Sequence, residues 1–508
     1  MINGGVGAHV SEGNPLREDA DDGFLRAEPH KRGIDAAAVL ALLDDFARLG
    51  VELNSFMLWR SGAVIAEGWW WPYRPELRHM MHSATKSFLS AAVGIAIAEG
   101  RFSLEDRVLS FFPEHAPSIP PVHLAAMTVE DLITQTCGHA HGASGSLWRR
   151  IPTSWIAEFF KIAVPFLPGS AFRYTSATSF MLSAIITRTT GEGLHDYLRP
   201  RLLEPLGIGD LAWDMGPENI NPGGNGISAP TSALLKLAIL HHQGGVWEGR
   251  RLLPEHWVKA AVAPQRGNPY GYHWWVGPQG SFYAYGVFGQ FAFVFPEDDA
   301  ILVTTAAAPY GEEALRSVVW SHLPALFRRP PPDDPISDEL KLRERIAGLR
   351  VLPVFQPGRS SIEERVTGIA YQAEPNEDGV VSFELTFEDD MCLFSMKDER
   401  GEHIVRVGLA GWLEGETSVS GAPLHHGYEP AVMRVVAGGR WTSTDVFEMI
   451  WQFNETAFRD TVTLTFNGMD GFVLERRVNT NSGLAVRPAI IARRVDQDGA
   501  KGSGSVPE

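Results

Sequence analysis

Cysteine is nearly absent: Cys137 and Cys392 are the only two in 508 residues. They fall in different expected domains, so a disulfide framework is excluded, and no zinc-type cysteine spacing exists. That usage fits a reducing cytoplasm, which is the expected location. Positive charge is also scarce. The 44 Lys and Arg stand against 61 Asp and Glu, a formal net charge of −17, with no basic stripe. Phosphate backbones need concentrated positive charge, which excludes nucleic acid as a partner. Long apolar runs are missing too. The longest, Phe88 to Ala98, is too short for a bilayer and reads as a buried helix, so no membrane partner is expected. Residues 1–33 are polar, without the basic and apolar regions of a secretory signal.

What is present is a folded composition: 44% hydrophobic and 21% charged residues, over a length that calls for two or more domains. Helical spacing predicts a helix over 34–49, an almost wholly apolar one over 83–99 and another over 179–190. Strand-like runs occur at 55–59, 64–71, 281–285, 290–296 and 301–305. The expected first domain, 34–327, is therefore α/β of the α+β kind, an antiparallel sheet flanked by helices. The stretch Arg328 to Pro335 holds three successive prolines, and 328–361 reads as a linker with a short charged helix from Ser337 to Leu349. Beyond it the period changes to two. Val381, Phe383, Leu385 and Phe387 alternate with polar residues, as do Phe447 to Phe453 and Val462 to Phe466. Such alternation predicts an all-β barrel or sandwich over 362–494, before a disordered tail at 495–508.

Three stretches carry residues suited to chemistry. In Ser83-Ala84-Thr85-Lys86, residues three apart share a helix face, so an alcohol and an amine can meet. Burial lowers a lysine pKa and turns it into a base for a serine nucleophile. This is the only S-x-x-K in a chain poor in lysine, and a cation is the wrong charge for a helix N-terminus. In Pro168 to Ser176, Tyr174 and Ser176 project two hydroxyls from an extended loop, and a phenol beside a lysine can act as base or acid. In Ala284-Tyr285-Gly286-Val287, a glycine-flanked strand edge can offer a backbone N–H to an oxyanion. Taken singly, Tyr174 also reads as a core edge residue, and the glycines as an ordinary hairpin turn. The pairs His139/His141 and His241/His242 lack partners at ligand spacing, so no metal is expected.

Together the three stretches resemble the serine β-lactamase and penicillin-binding-protein superfamily, in its class C-like esterase, D-aminopeptidase and aminohexanoate-dimer hydrolase branch. Leu132 to His139 and Gly224 to Ser228 also look like this family, and the resemblance covers about Ala36 to Leu326. It implies a β-lactamase-like domain with Ser83 as nucleophile, Lys86 and Tyr174 as base and acid, and Ser176 in support, in place of the family's Asn. It further implies oxyanion donors at the Ser83 and Val287 N–H groups. Where the family carries Lys-Thr-Gly or His-x-Gly, this chain has Ala284-Tyr285-Gly286, with no basic side chain to grip a carboxylate. The implied activity is hydrolysis of an ester or amide of a small molecule or short peptide through an acyl-enzyme, without a cofactor. His139, Trp148, Tyr285 and Gly286 are the expected substrate contacts. The tryptophans at 69–71 and the run Tyr272 to Trp275 are candidates to line an aromatic cleft. The sheet domain resembles the lipocalin-like barrels attached to some members. A β-lactamase or D,D-peptidase and a catalytically silent ligand binder stay open as alternatives, as does a homo-oligomer.

Overall fold

Leu53–Arg60 (β1) and Ala63–Trp69 (β2) form a hairpin through Ser61 and Gly62, both at positive φ, the two-residue turn whose twist suits antiparallel strands. In the computed structural model, which describes residues 22–495 other than 144 and 420, four later strands complete this sheet. They are Trp275–Val276 (β3), Phe282–Gly286 (β4), Gln290–Phe295 (β5) and Ala300–Ala306 (β6). The order is β2-β1-β6-β5-β4-β3, antiparallel throughout.

Alternate residues divide between two cores. Phe56, Leu58, Phe291, Phe293 and Leu302 face one side, packed with Val39, Leu43 and Phe46 of Ala36–Arg48 (α1). Met57, Trp59, Val294, Ile301 and Val303 face the other. That second core holds Thr85–Ala98 (α2), Ser176–Thr190 (α3) and Thr231–His242 (α4). With both faces covered, β1, β5 and β6 are buried almost end to end rather than on alternate residues. Glu313–Leu326 (α5) joins α1 through Leu315, Val318, Val319 and Leu323. Among the described residues no helix is long and apolar enough to cross a membrane.

The expected boundaries shift. The charged helix of the linker is Ile336–Ala347 (α6), and its Leu342, with Leu349, enters the α1 core. The first unit accordingly runs to Val351 and also takes in 455–457; the second holds 352–454 and 458–495. At the other end, part of the expected polar tail is ordered: Val64 exchanges backbone hydrogen bonds with Leu25 and Ala27. The rest of that tail, and 496–508, lie outside the described residues.

The second unit is a closed barrel. Its strands are Ile369–Ala373 (β7), Ser382–Phe387 (β8), Met391–Asp398 (β9), Gly401–Gly408 (β10), Leu413–Thr417 (β11), Met433–Trp441 (β12), Val446–Gln452 (β13), Arg459–Phe466 (β14), Gly471–Val478 (β15) and Ile490–Arg494 (β16). Nine of them form the ring, β12 through β16 and then β7 through β10, while β11 pairs with β12 alongside. A single parallel bridge, Gly408 to Gly438, closes it. At Gly439 a Cβ would stand 2.7 Å from Phe447 and 2.8 Å from Val407, so only glycine lets the wall come this close. Tyr371, Phe383, Phe394, Phe447 and Trp451 fill the interior.

Candidate active site

Ser83 stands on a 3-10 turn, His82–Ala84, that feeds α2; the helix itself begins at Thr85, two residues later than the sequence predicts. The turn is tight because His82 is held at φ 45, a left-handed conformation that residues with a Cβ seldom adopt. Its ring meets Phe288 edge-on at 5.4 Å. The helix that follows is buried on all sides, so Lys86, one turn on, is only 1% exposed, whereas Ser83 is partly exposed.

Lys86 Nζ lies 3.0 Å from Ser83 Oγ and 3.3 Å from Ser176 Oγ, and donates to the Gly224 carbonyl at 2.7 Å. Among the described residues no carboxylate pairs with it. Burial therefore lowers its pKa from 10.5 to about 7, because the ammonium form loses its hydration. The Tyr174 ring covers it, with Nζ 4.8 Å from the ring centroid. Burial raises the pKa of the Tyr174 hydroxyl, which is partnered by the Ser83 side chain. The four side chains named from sequence thus meet at one point.

The loop bearing Tyr174 is fixed from several directions. Gln135, at φ 61, accepts the Arg173 N–H on its backbone carbonyl and the Thr175 N–H on its side chain, both at 2.8 Å. Thr175 caps α3 and also accepts the Ala143 N–H at 2.9 Å. On the opposite side, Met81 N–H donates to Ile227 O at 2.8 Å and Ile227 N–H to Thr85 Oγ1 at 3.2 Å, which seats the Gly224 carbonyl beside Lys86.

The third wall is the end of β4. A Cβ on Gly286 would lie 2.2 Å from Met81 O and 3.2 Å from Ala84 N, so the strand touches the nucleophile turn backbone to backbone. Among the described residues, neither the Ser83 nor the Val287 N–H donates to a protein acceptor. Gly286→Ala is expected to cost about 1–3 kcal/mol through this clash. Urea unfolding measures it, and an unchanged midpoint would mean that strand and turn separate freely.

Residues 36–322 match the family profile described as Beta-lactamase. The chain belongs to the Beta-lactamase family. The 6-aminohexanoate-dimer hydrolase of Paenarthrobacter ureafaciens is 24% identical over 291 residues, which cover 50% of this chain and 73% of the relative. An uncharacterised protein of Mycobacterium tuberculosis (strain CDC 1551 / Oshkosh) is 27% identical over 163 residues, 28% of this chain and 40% of that protein. A solved structure from Bacillus anthracis, with a provisional 6-aminohexanoate-dimer hydrolase name, superposes with a TM-score of 0.52 at 17% identity. It covers 63% of this chain and 91% of its own, and shows a shared fold.

In this Beta-lactamase-family chain the expected substrate contacts divide. His139 is fully buried, its ring 4.9 Å from Phe159, and burial lowers its pKa to about 4. Trp148 is buried against Trp155. Both are buried, and beside His139 the Ala140 N–H donates to Ala163 O. The Tyr285 hydroxyl is engaged by Glu312, whereas Gly286 is at the site. Trp69 and Trp71 line a cavity of about 570 Å³ whose wall includes none of Ser83, Lys86 and Tyr174. Trp275 does reach the site, 5.6 Å from the Tyr174 ring, while Trp274 is buried against His241. No group of three or more His, Cys, Asp or Glu side chains among the described residues is placed to hold a metal. Glu312 has no signal in the sequence, and Gln290 and Gly224 enter there only as a strand start and part of a family-like stretch, since nothing local marks their buried contacts.

Proposed function

We propose that the chain is a serine hydrolase that cleaves an ester or amide bond of a small molecule or short peptide through an acyl-enzyme on Ser83. The observation that carries this is Lys86: a buried amine, paired with no carboxylate among the described residues and 3.0 Å from a partly exposed serine hydroxyl. Near neutral pH such an amine has a substantial unprotonated fraction and accepts the Ser83 proton as Oγ attacks the carbonyl carbon. The Ser83 and Val287 N–H groups receive the oxyanion. Tyr174, kept protonated by burial, passes its proton to the leaving group and is reprotonated from Lys86. Water then attacks the acyl-enzyme with the same groups acting in reverse, and Ser176 holds Lys86 in place.

A relative named 6-aminohexanoate-dimer hydrolase supports hydrolysis of a small molecule. Ala284, two residues before Gly286, presents no cation to a substrate carboxylate, which disfavours β-lactam or D-Ala-D-Ala substrates. Reaction with a fluorophosphonate followed by peptide mass spectrometry tests the reading. One adduct on Ser83 is the expected result; an adduct elsewhere, or none, removes it. A panel of p-nitrophenyl esters, D-amino-acid anilides and a chromogenic cephalosporin then ranks the substrates.

A further inference from the structure

The hairpin turn between β4 and β5, Val287 to Gly289, is held by two buried side chains, Gln290 and Glu312. Gln290 donates from its amide nitrogen to the Val287 and Ala306 carbonyls, both at 3.0 Å, and accepts the Ala306 N–H at 3.1 Å. Glu312, at the start of α5, accepts the Phe288 N–H at 2.6 Å and the Tyr285 hydroxyl at 2.5 Å. The Val287–Phe288 peptide is thus gripped at both ends, its carbonyl by Gln290 and its N–H by Glu312. On the other side of Val287, Gly286 is pressed against the Met81 carbonyl.

This is a costly arrangement for stability alone. The Glu312 side chain has no exposed surface, and Arg316 is 3.9 Å away. Both Phe288 and Glu312 adopt left-handed backbone conformations, φ 70 and 50, that neither residue type favours. A buried carboxylate needs several donors to be tolerated, and here the donors are those that set the turn. Strain and buried charge concentrated on one turn beside a nucleophile point to a functional constraint.

We propose that Glu312 is the positioning residue for the second oxyanion donor. The Val287 N–H belongs to the preceding Gly286–Val287 peptide, which lies between the Gly286 contact with Met81 O and the Val287–Phe288 peptide that Glu312 fixes; by holding that second end Glu312 keeps the Val287 N–H beside the Ser83 turn. This rests on the acyl-transfer reading above. Glu312 touches no reacting atom; it acts through the turn, and its loss penalises the tetrahedral state rather than substrate binding.

The test compares Glu312→Ala and the isosteric Glu312→Gln with the parent, using a p-nitrophenyl ester and phenylboronic acid, which forms a tetrahedral adduct with an active serine. Glu312→Ala is expected to lower kcat about 10- to 100-fold, within what a lost oxyanion donor costs. KM should stay within about three-fold, and boronate inhibition should weaken in step with kcat. Glu312→Gln keeps one acceptor for the Phe288 N–H and should fall about 3- to 10-fold. A purely structural role would lower the melting temperature while leaving kcat and boronate affinity of the folded protein unchanged, and that result overturns the proposal. If Glu312→Ala fails to fold, Glu312→Gln with parental boronate affinity overturns it equally. Should Ser83→Ala still be labelled by a fluorophosphonate, the acyl-transfer reading itself falls. Should Ser83→Ala be silent and Glu312→Ala unimpaired, only the role of Glu312 falls.

Discussion

Ser83→Ala is expected to lower turnover by about 10⁴-fold or more and to abolish fluorophosphonate labelling, since loss of a serine nucleophile removes most of the catalytic power of such sites. The fold should tolerate the change. Ser83 is partly exposed, caps no helix, and loses only a hydroxyl shared by Lys86 and Tyr174. The purified variant should therefore melt within a few degrees of the parent while showing neither steady-state activity nor an acyl burst. Retained burst amplitude with the variant would place the nucleophile elsewhere.

The second large effect is at Lys86. Lys86→Met should lower kcat/KM by about 10²- to 10⁴-fold, the usual worth of a positioned base. In the parent, kcat/KM should rise with pH through about 7, where the buried amine loses its proton. The same group links stability to pH. Its folded pKa, about 7, is below the unfolded value of 10.5, so between those limits the unfolded chain binds a proton that the folded chain does not. Parental stability should consequently rise with pH across this window, by up to about 1.4 kcal/mol per unit from this residue. Lys86→Met should lack that slope and, at pH 7, be at least as stable as the parent. Urea unfolding at pH 7 and pH 9 gives both slopes; identical slopes would mean that Lys86 titrates near its ordinary value.

The chemistry of the site was legible where it is local. Ser83 and Lys86 declare themselves by a three-residue spacing on an apolar helix, and Tyr174 by a turn that leads into the next one. Five of the six sheet strands show as short runs rich in apolar and β-branched residues, while Trp275–Val276, only two residues long, gives no such signal. Glu312 was not legible: a glutamate at a helix start ordinarily faces water, and its burial arises from packing under a hairpin 24 residues earlier. For His139 and Trp148, expected as substrate contacts, nothing local in the sequence marks their burial beside Phe159 and Trp155. In the barrel the paired glycines of Met433–Trp441 break the apolar alternation, and that strand went unseen although it closes the ring.

The ring also has an order in time. Its first strand, β7, lies beside its last, β16, with Tyr371 opposite Arg494. A chain leaving the ribosome cannot complete this wall until more than a hundred further residues have emerged, so the barrel is the late event of synthesis. The sheet of the first unit, whose last strand ends at Ala306, can be whole long before.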